Sequence, residues 1–166
     1  MPRLLIILFS FILGLASFGV RAEPSQLDLA PHKGKVVYVD FWASWCGPCR
    51  ESFPWMQAMH EKYKDKGLVI ITINLDHERA KADAFLKKFN PTFTQMYDPE
   101  GKLADEFKVQ TMPYSFVVDR TGAPRAQHFG FFKAKIGAYE KEILALLNEP
   151  APTVSLSPAP IFIEKK

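Results

Sequence analysis

The chain has 166 residues, is 48% hydrophobic and 13% aromatic, and carries a formal charge of +3. That length suits one compact domain, and that composition supplies an ordinary core and excludes wholesale disorder. With Arg3 and Arg21 set aside as parts of an N-terminal segment, 19 basic residues face 18 acidic ones, so no basic field points to nucleic acid and no Lys/Arg block to an anionic membrane.

The first element is an export pattern. Met1-Pro2-Arg3 is a short positive start, Leu4 to Val20 is an uncharged apolar run, and Val20-Arg21-Ala22 has the small residues of a cleavage site. Residues 1–22 read as a signal peptide, with Glu23 opening the mature chain. An uncleaved anchor is the competing reading. The 17-residue run is at the lower limit for crossing a bilayer, and Arg3 and Arg21 flank it evenly, so charge fixes no orientation. Either reading places the domain in the extracytoplasmic envelope, soluble if cleaved and held at the membrane otherwise. No cysteine lies near the segment, which argues against a lipid-anchored lipoprotein.

Val36 to Trp42 is a nearly continuous apolar run rich in β-branched residues, the pattern of a central strand buried on both faces. Phe53, Met56, Met59 and Tyr63 then recur at helical spacing, and Gly67 stops that helix. Val69 to Leu75 is a second buried strand, which completes a right-handed βαβ unit. A second helix is expected from about Glu78 to Phe89, with Ala82, Phe85 and Phe89 on one face, and Asn90-Pro91 ends it. Thr92 to Tyr97 reads as a short strand and Leu103 to Phe107 as a short helix. Ser115 to Asp119 is a strand just after Pro113, Arg120-Thr121-Gly122 turns the chain, and Arg125 to Phe129 pairs back antiparallel. Ile136, Tyr139, Ile143 and Leu147 mark the last helix. The sum is an α/β fold with a central mixed sheet flanked by helices. The globular domain runs over residues 23–149. Residues 150–166 form a proline-rich tail without helical periodicity, read as flexible.

Cys46 and Cys49 are the only cysteines, so no wider disulfide framework exists. A bridge between them closes a very short loop and restricts the unfolded chain little. Two cysteines supply half of a zinc site, and His32, His60, His77 and His128 are scattered without paired spacing. No metal and no other cofactor is expected. A redox pair explains the position as well as the count. Where a strand gives way to a helix, unsatisfied N–H groups and the helix dipole stabilise a thiolate at the first cysteine. Cys46 is then the exposed nucleophile and Cys49, one turn in, the shielded resolving thiol. Pro48 suits the first helical turn, where its missing N–H is not needed. Asp40, alone in an apolar strand, is expected to have a raised pKa and to exchange a proton with Cys49; a solvated strand-end acid is the alternative.

Val39-Asp40-Phe41-Trp42-Ala43-Ser44-Trp45-Cys46-Gly47-Pro48-Cys49 resembles the active-site segment of thioredoxins. Pro54 stands where that family kinks its active-site helix, and Thr111-Met112-Pro113 resembles its cis-proline turn. The resemblance spans roughly residues 33 to 148. It implies a thioredoxin fold, and the export pattern and the long stretch from Asn74 to Pro113 resemble the TlpA/ResA-type envelope reductases, which carry a helix and strand insertion before the cis-proline strand. Two positions depart from the cytochrome-c-maturation members: Ser52 stands where many have glutamate, and Asp40 where asparagine is common. Thr72 departs in turn from thioredoxins, which often place lysine there.

The resemblance implies a substrate-binding surface made by Trp45, Gly47, Pro48, the Met112 backbone beside Pro113, and Gly130. An extended peptide would pair with that Met112 backbone. Trp42 is expected to pack under the site, Trp55 to be core or helix surface, and Phe129, Phe131 and Phe132 to pack in the core. The implied activity is reduction of disulfide-bearing proteins or peptides, with electrons from a transmembrane thiol donor of the DsbD/CcdA type. Gly47-Pro48 is closer to reducing thioredoxins than to strong oxidants, which usually have histidine in the dipeptide. A cytochrome c maturation reductase, a disulfide-introducing oxidase and a non-catalytic peptide-binding holdase are the alternatives.

Overall fold

The computed structural model describes residues 27–151. The predicted export segment lies outside these residues, as does the tail beyond residue 151. Among the described residues no helix is long and apolar enough to cross a membrane.

Strand β1 (Val36–Trp42) is buried along its whole length and sits at the centre of a five-stranded sheet. It is followed by helix α1 (Gly47–Tyr63), strand β2 (Leu68–Asn74), helix α2 (Arg79–Phe89), strand β3 (Thr94–Tyr97), helix α3 (Lys102–Glu106), strands β4 (Tyr114–Val118) and β5 (Pro124–Phe129), and helix α4 (Ile136–Asn148). The spatial order is β3-β2-β1-β4-β5. β1, β2 and β3 run parallel, and β4 lies antiparallel to both β1 and β5. This is the mixed sheet expected of a thioredoxin fold. The α2–β3 insertion adds the outer parallel strand.

Side chains alternate across β1 and so divide the interior in two. Val36, Tyr38 and Trp42 join α1, α2 and α4 in one core; Val37, Val39 and Phe41 join α3, Ile71 and Ile73 of β2, and Tyr114, Phe116 and Val118 of β4 in the other. The helices are thus shared unequally, three on one face and one short helix on the other. In the larger core Trp42 meets Phe53 edge-on with ring centres 4.8 Å apart, and Phe85 at 4.6 Å. Aromatic pairs of this kind add about 0.5–1.5 kcal/mol beyond their burial. Phe85 is supplied by α2, so the insertion is built into the floor of the α1 end of the molecule.

Observed boundaries agree with the sequence pattern to within a residue or two. Asn90 ends α2 in the left-handed region (φ 45°), where asparagine is tolerated better than most residues. β5 begins one residue early, at Pro124, and the ladder slips between Val117 and Val118; proline is admitted there because it opens an edge strand. The expectation for the Phe129–Phe132 cluster is corrected. Phe131 is buried, but Phe129 and Phe132 are 58% and 52% exposed. Phe129 is the last residue of the edge strand β5 and Phe132 lies past its end, in the loop that leads to α4, and among the described residues neither is covered by a further layer.

Candidate active site

The loop after β1 delivers Cys46 to the N-terminus of α1. Cys46 is the N-cap residue in an extended conformation (φ −76°, ψ 112°), and its sulfur accepts the Cys49 N–H at 3.2 Å. Gly47 and Pro48 fill the first helical turn, so the helix gives up no hydrogen bond to the proline. The two sulfurs are joined in a disulfide, with Cα atoms 5.3 Å apart. Cys46 therefore sits where backbone N–H groups and the helix dipole favour negative charge on sulfur.

One expectation for this pair is modified. Cys46 is not broadly exposed: it is 4% exposed and Cys49 0%. The two cysteines, joined in one disulfide, differ in exposure only in degree. Exposure belongs to the neighbours. Trp45 is 66% exposed, and Gly47 and Pro48 are exposed as well. A Cβ at Gly47 would meet nothing within 4 Å, which leaves an open approach beside the sulfurs.

The loop is braced from below by a carboxylate that sequence reasoning did not single out. Asp76 is buried, and it accepts the Ser44 N–H and the Ser44 O–H, both at 2.9 Å, and the Asn74 side-chain amide at 2.7 Å. Arg50 from α1 donates to the Ser44 carbonyl at 2.9 Å. The only sequence signal was the pair of polar residues, Asn74 and Asp76, closing an apolar strand. Between this loop and α2 lies an open cavity of about 390 Å³, lined among others by Trp45, Arg50, Lys81, Phe85 and Phe89.

Asp40 faces the same side of the sheet as Tyr38 and Trp42, the side that carries Cys49. It is 1% exposed, and neither carboxylate oxygen has a hydrogen-bond partner among the described residues. Desolvation pushes its pKa well above the usual carboxylate range. A solvated strand-end acid is thereby excluded.

The third part of the site comes from the chain before β4. The Met112–Pro113 peptide is cis. Met112 is half-buried against the core that includes Cys46 and Cys49. Gly130 (φ +84°) donates its N–H to the Pro113 carbonyl at 2.8 Å, so these residues form one unit, and the left-handed backbone at position 130 favours glycine. Trp42 lies under the site and Trp55 in the core at 7% exposure. Ser52, in the departing position, donates its hydroxyl to the Cys49 carbonyl at 3.0 Å. Among the described residues no group of three or more His, Cys, Asp or Glu side chains is placed to hold a metal ion.

A parallel-centred mixed sheet with a two-cysteine disulfide capping the helix after its central strand defines a protein of the thioredoxin-fold class. The comparisons with known proteins agree. The Redoxin family model matches residues 14–143, and the chain belongs to that family. It is similar to thiol-disulfide oxidoreductase ResA of Oceanobacillus iheyensis, with 32% identity over 108 residues, 65% of this chain and 56% of that protein. It is also similar to ResA of Bacillus anthracis, with 31% identity over 73% of this chain and 70% of that one. The first of these matches spans little more than half the relative's length. Among solved structures, a Chlorobium tepidum protein described as a candidate thiol:disulfide interchange protein DsbE superposes with a TM-score of 0.71 and 47% identity, covering 73% of this chain and 86% of that one.

Proposed function

We propose that this protein is an extracytoplasmic thiol–disulfide oxidoreductase that reduces protein disulfides through Cys46 and Cys49. The observation that carries the reading is the Cys46–Cys49 disulfide at the N-terminus of α1, with an unpartnered carboxyl, Asp40, on the same face. In the reduced form the Cys46 thiolate attacks a substrate disulfide. A mixed disulfide forms, and the first substrate sulfur leaves as a thiolate. Asp40 takes the Cys49 proton, and the Cys49 thiolate attacks the Cys46 sulfur. The second substrate thiolate leaves, and the pair ends oxidised. Two electrons must then return, and a transmembrane thiol donor of the DsbD/CcdA type fits an exported domain.

Trp45, Gly47 and Pro48 offer an exposed surface around the sulfurs, and the Met112–Pro113 turn with Gly130 offers backbone for an extended peptide. The names of the relatives support exchange chemistry. The Ser52 hydroxyl is spent on a helix carbonyl, which supports general reduction over a dedicated haem-apocytochrome reductase. The residues 1–22 pattern supports export and the periplasm or an equivalent envelope space.

Reduction of insulin disulfides with a chemical reductant recycling the pair tests the activity. Wild type is expected to turn over and Cys46→Ser to be inactive. Cys49→Ser is expected to stop at a mixed disulfide whose partner identifies the substrate. Turnover that survives Cys46→Ser would sink the proposal in favour of a binding protein indifferent to its cysteines.

A further inference from the structure

Asp40 lies in a polar row that crosses the whole sheet. In the strand register Gln95 of β3 is paired with Thr72 of β2, Thr72 with Asp40 of β1, Asp40 with Ser115 of β4, and Ser115 with His128 of β5. Paired residues share a face. The members on either side of Asp40 are bonded away from it. Thr72 donates its hydroxyl to Gln95 Oε1 at 2.6 Å. Ser115 Oγ accepts the Tyr38 O–H at 2.7 Å and lies 3.2 Å from His128 Nδ1. His128 Nε2 lies 2.7 Å from Glu142 Oε2 on α4. Exposure rises along this branch, from 1% at Asp40 and 3% at Ser115 to side-chain values of 11% at His128 and 44% at Glu142.

We propose that Ser115, His128 and Glu142 form the route by which the proton taken up at Asp40 reaches solvent and returns from it. This rests on the reading of Asp40 as the acid–base partner of Cys49. The donor count supports it. Glu142 as a carboxylate accepts only, so in the neutral form of His128 the ring hydrogen lies on Nε2 toward Glu142 and the bare Nδ1 accepts the Ser115 hydrogen. Ser115 has one hydrogen and two lone pairs. Tyr38 uses one lone pair, His128 receives the hydrogen, and one lone pair is left over. Ionised Asp40 has nothing to give to that lone pair, and no bond joins the two residues in the structure. Protonated Asp40 becomes a donor, and its carboxyl can turn to the residue opposite.

The transfer then balances. The Asp40 O–H bond breaks and its proton goes to Ser115 Oγ, the Ser115 proton goes to His128 Nδ1, and the Nε2 proton leaves to Glu142 or water. Re-reduction of the pair needs a proton carried inward to Cys49. The same chain run backward supplies it and restores the starting tautomer. The titratable and polar groups facing the route are Tyr38 from β1, Cys49 and Trp55 from α1, Thr72 from β2, Gln95 from β3 and Tyr139 from α4, with the Tyr139 ring centre 4.6 Å from that of His128 and the Trp55 ring centre 5.5 Å from that of Tyr38.

Single-turnover oxidation of the reduced protein by a saturating disulfide peptide, followed across pH and in mixtures of H2O and D2O, tests the route. Ser115→Ala and His128→Gln are each expected to slow resolution by about tenfold or more, and Ser115→Thr to restore it. Wild type should show a curved dependence on deuterium fraction, from several protons in flight, and Ser115→Ala a straight one. In an Asp40→Asn background neither variant should slow the step further, since the route acts only through Asp40. Should Ser115→Ala fail to fold, His128→Gln decides. Wild-type rates in Ser115→Ala and His128→Gln beside a slow Asp40→Asn would overturn the route and leave the proposed exchange activity standing. An undiminished Asp40→Asn rate would overturn the route together with the acid–base role of Asp40. Only turnover in Cys46→Ser bears on the activity itself.

Discussion

Ser44 gives both its backbone N–H and its hydroxyl to the carboxylate of Asp76, 32 residues away. This ties the loop that presents Cys46 to the end of β2, on the opposite side of β1 from the Met112–Pro113 turn. Asp76→Ala would strand these donors and the Asn74 amide in a nearly dry site. We expect a loss of about 2 kcal/mol in chemical denaturation, with faster reduction of the Cys46–Cys49 bond by dithiothreitol as the loop loosens. Unchanged stability and reduction rate would show that the brace contributes nothing.

Asp40 has a folded pKa raised by desolvation, so the sign of its pH dependence is set. Between the unfolded carboxyl value of about 3.9 and the raised folded value, the folded state holds a proton that the unfolded state has released. Stability from this group is complete below the unfolded pKa and is lost as pH rises through the folded one. The oxidised Asp40→Asn protein should match wild type at low pH and exceed it by more than about 1 kcal/mol above the folded pKa, where a buried charge has been removed. Denaturation curves across pH check this, and parallel curves for the two proteins would refute it.

The same substitution should act on rate in the opposite sense. Asp40 accepts a proton only when ionised, so resolution of the mixed disulfide should quicken as pH rises through the folded pKa of Asp40. Asp40→Asn should be slower and lack that inflection. A preserved inflection would assign it to another group.

Cys46 caps α1 and Cys49 is sealed behind it. Alkylation of the reduced protein near neutral pH should label Cys46 first, because the helix N-terminus stabilises its thiolate while burial keeps Cys49 protonated. Mass spectrometry of partly labelled protein reads the order directly, and faster labelling of Cys49 would reverse the two roles.

Trp45, 66% exposed, should matter for substrate and little for folding. Trp45→Ala is expected to change stability by no more than about 0.5 kcal/mol. It should raise the KM for a protein disulfide several-fold while leaving reaction with a small aliphatic disulfide unaltered. Equal losses on both substrates would place Trp45 in the chemistry rather than in binding.

The element order is legible in the sequence because each buried strand is an unbroken apolar run and each long helix keeps a 3.6-residue period. Cys46, Cys49, Asp40 and Pro113 stand out there as residue types that the surrounding pattern does not require. What the sequence conceals is register. Thr72, Ser115 and His128 each look like an isolated polar residue, and only the pairing of four strands sets them in one row with Asp40. Asp76 escapes notice for the same reason, since its partner Ser44 is distant along the chain. Phe129 and Phe132 mislead in the opposite direction, because hydrophobicity alone does not reveal that Phe129 closes an edge strand and Phe132 lies in the loop beyond it.

Among the described residues the order β3-β2-β1-β4-β5 leaves two open sheet margins, and unpaired strand edges invite a second molecule to continue the ladder. Both margins are poor templates. β3 is only four residues long, and β5 opens with Pro124 and Arg125 beside a ladder slip, so it lacks one N–H and presents a charge. An insertion that widens the sheet thus ends it in a strand too short to recruit a neighbour. The domain is protected against edge-to-edge aggregation at the side where it grew.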